Sequence, residues 1–153
     1  MIESFNIQNL AEVQLVYKTK VKPSDRPKIS ASADAYGLLL QTWDSNTIEL
    51  REEFKILLLN RANRVLGVFS LSKGGVSGTV ADPKLIFVAA IKTNASGIIL
   101  AHNHPSGNLQ PSQSDLSLTR KCREAGKLLD IPVLDHIIVT TENYYSMTDE
   151  GIL

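Results

Sequence analysis

The chain has 153 residues, a length that favours one domain burying about two-thirds of the surface its unfolded form exposes. Its 43% hydrophobic and 21% charged residues are those of an ordinary globule, and no apolar run reaches the length of a membrane span. Sixteen Lys and Arg balance sixteen Asp and Glu, so no global field draws it to nucleic acid or an anionic membrane, and a single Cys122 excludes an internal disulfide and a Cys-type zinc cluster.

Taken in order, Glu12 to Lys22 alternates, with Val13, Leu15, Tyr17 and Val21 on one face, and predicts a strand. Pro23 to Pro27 breaks it. A helix follows, capped within Ser32-Ala33-Asp34-Ala35, with Tyr36, Leu39, Leu40 and Trp43 as its apolar stripe and Trp43 packing onto a sheet. Arg51 to Asn60 predicts a strand that is apolar on both faces in its later half and therefore central. The turn Asn60-Arg61-Ala62-Asn63 leads to a hairpin partner over Val65 to Ser70. Lys73-Gly74-Gly75 is a loop without a phosphate-binding context, and a short strand is expected over 76–80.

Asp82-Pro83 starts a helix, with Asp as cap and Pro in the first helical position. Leu85, Val88, Ala89 and Lys92 step along one side, and Asn94 ends it. The apolar run from Ser96 to Ala101 reads as a buried strand. A helix from Ser112 to about Asp130 buries Leu116, Thr119, Cys122, Ala125, Gly126 and Leu129, which makes Cys122 a core thiol. Ile131 to Thr140 predicts another central strand, and Asn143 to Met147 an edge strand. This order implies an α/β fold (an α+β sandwich): a mixed, mostly antiparallel sheet with helices on both faces.

Chemistry concentrates in residues 101–115. On an extended chain, side chains two apart share a face, so His102 and His104 can meet at one ion. Pro105 and Gly107 end that strand. Ser112 then caps the next helix and Asp115 takes its third position, where its carboxylate can reach the same ion. Two imidazoles and a carboxylate with a fourth position open form the ligand set of a catalytic zinc, which lowers the pKa of a bound water to about 7. Such a site needs a carboxylate to carry the proton, and Glu49, Glu52 and Glu53 all precede the central strand. Arg51 and Lys55 flank them, so the three could equally be solvated charges.

His102-x-His104-Pro105 followed by Ser112-x-x-Asp115 resembles the signature of the JAMM (MPN+ or JAB) metalloproteases. The wording His102-Asn103-His104-Pro105-Ser106-Gly107, with Asp135-His136-Ile137-Ile138-Val139 later, is similar to the bacterial RadC-like branch. The resemblance runs from about Glu52 to Ile152. It implies a JAB/MPN-like, cytidine-deaminase-like fold over residues 46–153, with residues 1–45 as an N-terminal strand and helix packed on that core. It further implies Zn2+ held by His102, His104 and Asp115, Glu52 (two before the aromatic Phe54) as proton shuttle, and Ser112 as donor to the oxyanion. Glu53, on the opposite face, is then expected to be an exposed strand-end charge. Asp135 and His136 face opposite ways, so one of them could partner a metal ligand from behind. With the ligand set complete, a structural role is the favoured expectation for His136.

The expected partner is a protein or peptide substrate, and a homodimer is compatible with the sequence. Two other readings are a zinc-holding interaction module without proteolysis and an accessory protein of DNA repair, although the charge balance does not favour direct DNA binding. No leader pattern or membrane segment is read, and the cytoplasm is the expected compartment.

Overall fold

A computed structural model describes residues 6–75 and 79–153. Five strands form one sheet in the order β2-β1-β3-β4-β5. They are β1 (Glu53–Leu59), β2 (Val65–Lys73), β3 (Gly97–Asn103), β4 (Val133–Val139) and β5 (Tyr144–Ser146). Three helices accompany them: α1 (Ser32–Thr42), α2 (Pro83–Lys92) and α3 (Gln113–Leu128). β3 and β4 are parallel, and the other neighbouring pairs are antiparallel. The mixed sheet expected from the element order is the observed one.

β1 and β3 are buried along their whole length, which their continuous apolar runs require in the middle of a sheet covered on both sides. Alternate residues serve opposite layers. Ile56, Leu58, Ile98 and Leu100 pack with Ile86, Phe87 and Cys122 of α2 and α3. Leu57, Leu59, Ile99 and Ala101 pack with Ala35, Leu39 and Trp43 on the α1 side. Trp43 is buried against the sheet, as expected.

The caps follow sequence chemistry. Asp82 accepts from the Lys84 N–H with Pro83 in the first turn of α2, and the Asp34 carboxylate accepts from the backbone N–H groups of Ser30 and Ala31 ahead of α1. Asn63, Asn94 and Asp130 adopt positive φ where the chain reverses or leaves a helix.

One expectation is corrected and two are refined. Residues 12–22 form no strand: Val13 and Leu15 are 83% and 73% exposed, and Tyr17 donates its hydroxyl hydrogen to the Leu66 carbonyl. Alternation favours a strand only where a neighbour completes the ladder. The strand expected over 76–80 falls partly outside the described residues, and Thr79 and Val80 belong to no strand. In α2 the buried side is Ile86, Phe87, Ala89 and Ala90, while Leu85 and Val88 stand half exposed, because the helix is apolar around most of its circumference.

α3 ends tightly against the chain that returns to β4. The Ile131 N–H donates to the Gly126 carbonyl at 2.9 Å, and a Cβ at Gly126 would stand 2.4 Å from the Ile131 oxygen. Ala has the better helix propensity by about 1 kcal/mol, but a clash with backbone outweighs it. Gly126→Ala should therefore lose roughly 1–3 kcal/mol of stability, read as a lower urea midpoint at unchanged slope. An unchanged or raised midpoint would contradict the close approach.

Candidate metal centre

β3 delivers the first imidazole. His102 follows Ile98 and Leu100 on the face toward α3, is almost fully buried, and pairs in register with Phe54 of β1. The two rings stack with centroids 5.9 Å apart. His104 lies just beyond the strand, where its backbone N–H still bonds the Val139 carbonyl. The chain then turns: the Gly107 N–H reaches the His104 carbonyl at 3.0 Å, with Gly107 at φ +80. That turn brings the Asn108 carbonyl to 2.6 Å from His104 Nδ1, so Nδ1 carries the hydrogen and Nε2 faces inward. The two Nε2 atoms are 3.0 Å apart.

α3 brings the carboxylate. Ser112 Oγ accepts the Asp115 N–H at 3.0 Å, and the Ser112 N–H donates to Asp115 Oδ2 at 2.8 Å. This reciprocal cap holds the Asp115 side chain as well as the helix end. Its Oδ1 lies 3.3 Å from His102 Nε2 and its Oδ2 3.5 Å from His104 Nε2. Burial opposes ionisation of Asp115, but the imidazoles of His102 and His104 outweigh it and hold the carboxyl well below the usual carboxylate range. Burial likewise disfavours the charged form of His104, yet Asp115, the Asn108 carbonyl and Glu52 outweigh it and raise its pKa.

Glu52 Oε1 stands opposite, 4.0 Å from His102 Nε2 and 3.7 Å from His104 Nε2. Glu52, His102 and His104 each offer a ligand atom, all within 4.8 Å of one another, and could hold a metal ion. Donors ~2.1 Å from a tetrahedral ion are about 3.4 Å from each other. The two imidazole nitrogens are 3.0 Å apart, and Asp115 offers Oδ1 at 3.3 Å to His102 and Oδ2 at 3.5 Å to His104, separations close to that spacing. The Glu52 oxygen is a few tenths of an ångström farther out. Glu52, His104, Ser112 and Asp115 line an open cleft of about 680 Å³.

Glu53 is not the exposed charge expected for it. It is 4% exposed, on the opposite face, with Arg51 Nε at 3.6 Å and Lys55 Nζ at 4.0 Å. Lys55 in turn donates to the Thr42 carbonyl and lies over the Trp43 ring, so the α1 layer covers both charges. Glu49 lies away from the centre and accepts from the Thr141 hydroxyl.

Two residues escaped the sequence reading. Asn103 sits between the two histidines but points to the other face, fully buried. Its Oδ1 accepts the Glu53 N–H at 2.7 Å, and its Nδ2 donates to the carbonyls of Ile48 and Arg51. It ties down both sides of Glu52. Strand alternation alone marks it as facing away from the ion; its partners 50 residues earlier could not be read. Thr119, one helical turn after Asp115, lies with its Oγ1 2.6 Å from His136 Nδ1. His136 Nε2 is 2.7 Å from His102 Nδ1, so His136 touches a candidate ligand rather than serving packing alone. Burial lowers the pKa of His136 and keeps it neutral. Asp135 faces the other way and accepts from Ser146 Oγ and the Thr148 N–H; burial raises its pKa against those bonds. Cys122 is fully buried among apolar side chains, and burial pushes its thiol up to about 11.

Residues 29–152 match the RadC-like JAB domain. A UPF0758 protein of Flavobacterium johnsoniae is 45% identical over 125 residues, 82% of this chain and 53% of that protein. UPF0758 proteins of Salinibacter ruber (40% identical; 79% of this chain, 49% of theirs) and Rubrobacter xylanophilus (39%; 94% and 62%) are similar in the same way. The chain thus spans about half the length of the first two of these relatives. No helix among the described residues is long and apolar enough to cross a membrane.

Asn103 carries a direct test of how the centre is framed. Asn103→Ala leaves a buried N–H and two carbonyls without their partner, each worth about 1–3 kcal/mol when unsatisfied. The expected result is a stability loss of at least about 2 kcal/mol with faster amide exchange confined to the segment around residues 48–53. Unchanged exchange there would show that Asn103 does not hold the Glu52 segment.

Proposed function

The chain belongs to the RadC-like JAB domain family, and from that premise we propose that it is a zinc-dependent hydrolase of the JAMM metallopeptidase type, cleaving a peptide or isopeptide bond of a protein substrate. His102, His104 and Asp115 would hold the ion, Glu52 would carry the proton and Ser112 would steady the oxyanion. The observation that carries this reading is the carboxylate of Glu52. It stands 3.7–4.0 Å from both imidazole nitrogens and lines the cleft beside them with Asp115.

A zinc ion held by this set supplies Lewis acidity, polarising a carbonyl and lowering the pKa of water to about 7. The rest is done by side chains. Glu52 Oε1 accepts a proton from the attacking water as its oxygen bonds to the carbonyl carbon. When the carbon–nitrogen bond breaks, the same oxygen returns that proton to the leaving amine. Ser112 spends an oxygen lone pair on the Asp115 N–H, which leaves its own hydroxyl hydrogen free to donate to the oxyanion. Asp115 remains ionised under the imidazoles and does not compete for the shuttled proton. The cleft lined by Glu52, His104, Ser112 and Asp115 is open to solvent, as a protein substrate requires.

One observation favours a second reading. Glu52, His102 and His104 each offer a ligand atom within 4.8 Å of one another, so Glu52 could itself join the donor set. Four protein donors close a zinc site, and a closed site is structural, as in an interaction module.

Glu52→Gln separates the two readings. In the hydrolase, the zinc-loaded variant retains stoichiometric metal and loses about 10²- to 10⁴-fold in the rate of cleaving peptide and isopeptide reporters. Loss of zinc from Glu52→Gln would establish Glu52 as a ligand, and undiminished cleavage would remove it from the chemistry.

A further inference from the structure

His102 has a second nitrogen, and what it meets decides whether Nε2 can serve as a donor atom. A neutral imidazole carries one hydrogen, on either Nδ1 or Nε2. In unstrained histidine the hydrogen favours Nε2, the form that would block coordination through that atom. Among the described residues His102 Nδ1 meets His136 Nε2, at 2.7 Å, and that contact can be bridged by a hydrogen from either ring. The ambiguity passes down the line: His136 Nδ1 faces Thr119 Oγ1 at 2.6 Å.

The last contact resolves it. Thr119 Oγ1 lies 2.7 Å from the backbone carbonyl of Asp115, four residues earlier on α3. A carbonyl oxygen has no hydrogen to give, so the hydroxyl must donate to it, and a threonine hydroxyl has one hydrogen. Thr119 is then an acceptor toward His136, which places the His136 hydrogen on Nδ1. His136 Nε2 is left as a lone pair that accepts from His102 Nδ1–H. The His102 hydrogen is thereby drawn to Nδ1, and Nε2 is bare toward His104 and Asp115. The whole run is buried, with His102, His136 and Thr119 each at most 2% exposed, so a reversed order would leave a buried polar group poorly paired. Phe54 closes the side, stacked on His102 and edge-on to His136 at 5.5 Å.

We propose that Thr119 and His136 are positioning residues that fix the tautomer of His102, so that its Nε2 lone pair is presented to the ion. The relay is a closed circuit, because the residue whose carbonyl fixes its direction is Asp115, whose carboxylate lies 3.3 Å from His102 Nε2. β4 and α3 thus help to define a ligand on β3 without touching the ion. His104 reaches the same state by a shorter route, donating Nδ1–H to the Asn108 carbonyl. The purpose of the relay rests on the metal reading; its direction does not.

Long-range proton–nitrogen correlation spectra of the histidine rings test the direction on the metal-free 153-residue protein at pH 8. The expected result is hydrogen on Nδ1 of both His102 and His136. Hydrogen on Nε2 of His102 with Nδ1 bare overturns the proposal. Thr119→Val keeps the shape and removes the hydroxyl, and Thr119→Ser restores it. In chelator competition Thr119→Val should weaken zinc binding by about 10- to 100-fold and mix the His102 tautomers, while Thr119→Ser stays near wild type on both readouts. Wild-type affinity and an unmixed tautomer in folded Thr119→Val would also overturn it. A wild-type protein that binds no zinc but shows the Nδ1 hydrogens would sink the metal reading and leave the relay standing.

Discussion

Two imidazole nitrogens and a carboxylate converge at this site. The nitrogens of His102 and His104 are 3.0 Å apart, and the Asp115 carboxylate spans both at 3.3 and 3.5 Å. Electron pairs gathered this closely favour a positive charge among them, whether a proton or a metal ion. The fold is arranged so that none of the three can move away. His102 is locked between Phe54 and His136 on a central strand, His104 is held by its own turn, and Asp115 is fixed by reciprocal bonds with Ser112. The scaffold thus holds together a group of side chains that could bind a metal ion.

The scaffold itself follows from strand order. β3 and β4 are parallel and joined through α3, so the crossover lays the start of that helix beside the end of β3, where its capping residues become site residues. β1 on the other side of β3 brings Glu52 and Phe54 to the same face, two residues apart. The centre is thus assembled from strand ends and one helix start. Mobile loops are not needed to bring its donors together.

Much of this was legible from local periodicity. The two-residue spacing of His102 and His104 and the Ser112-x-x-Asp115 box state their geometry in the sequence, because strand and helix periods are fixed by the backbone. The central strands and both helical layers were legible for the same reason. What escaped depends on neighbours far away in the chain. Glu53 is buried because Lys55 and Trp43 cover it. Asn103 matters because Ile48, Arg51 and Glu53 come to it across the sheet. His136 touches His102 only because β3 and β4 are adjacent and in register. Residues 12–22 show the converse, an alternating segment for which the sheet supplies no ladder.

The account turns on whether one cation sits among these donors. Crystals grown with zinc and measured on both sides of its absorption edge would locate it by anomalous scattering. The account predicts one strong peak about 2.0–2.2 Å from His102 Nε2, His104 Nε2 and an Asp115 oxygen. A crystal with zinc bound elsewhere and no peak between the two imidazoles would contradict it.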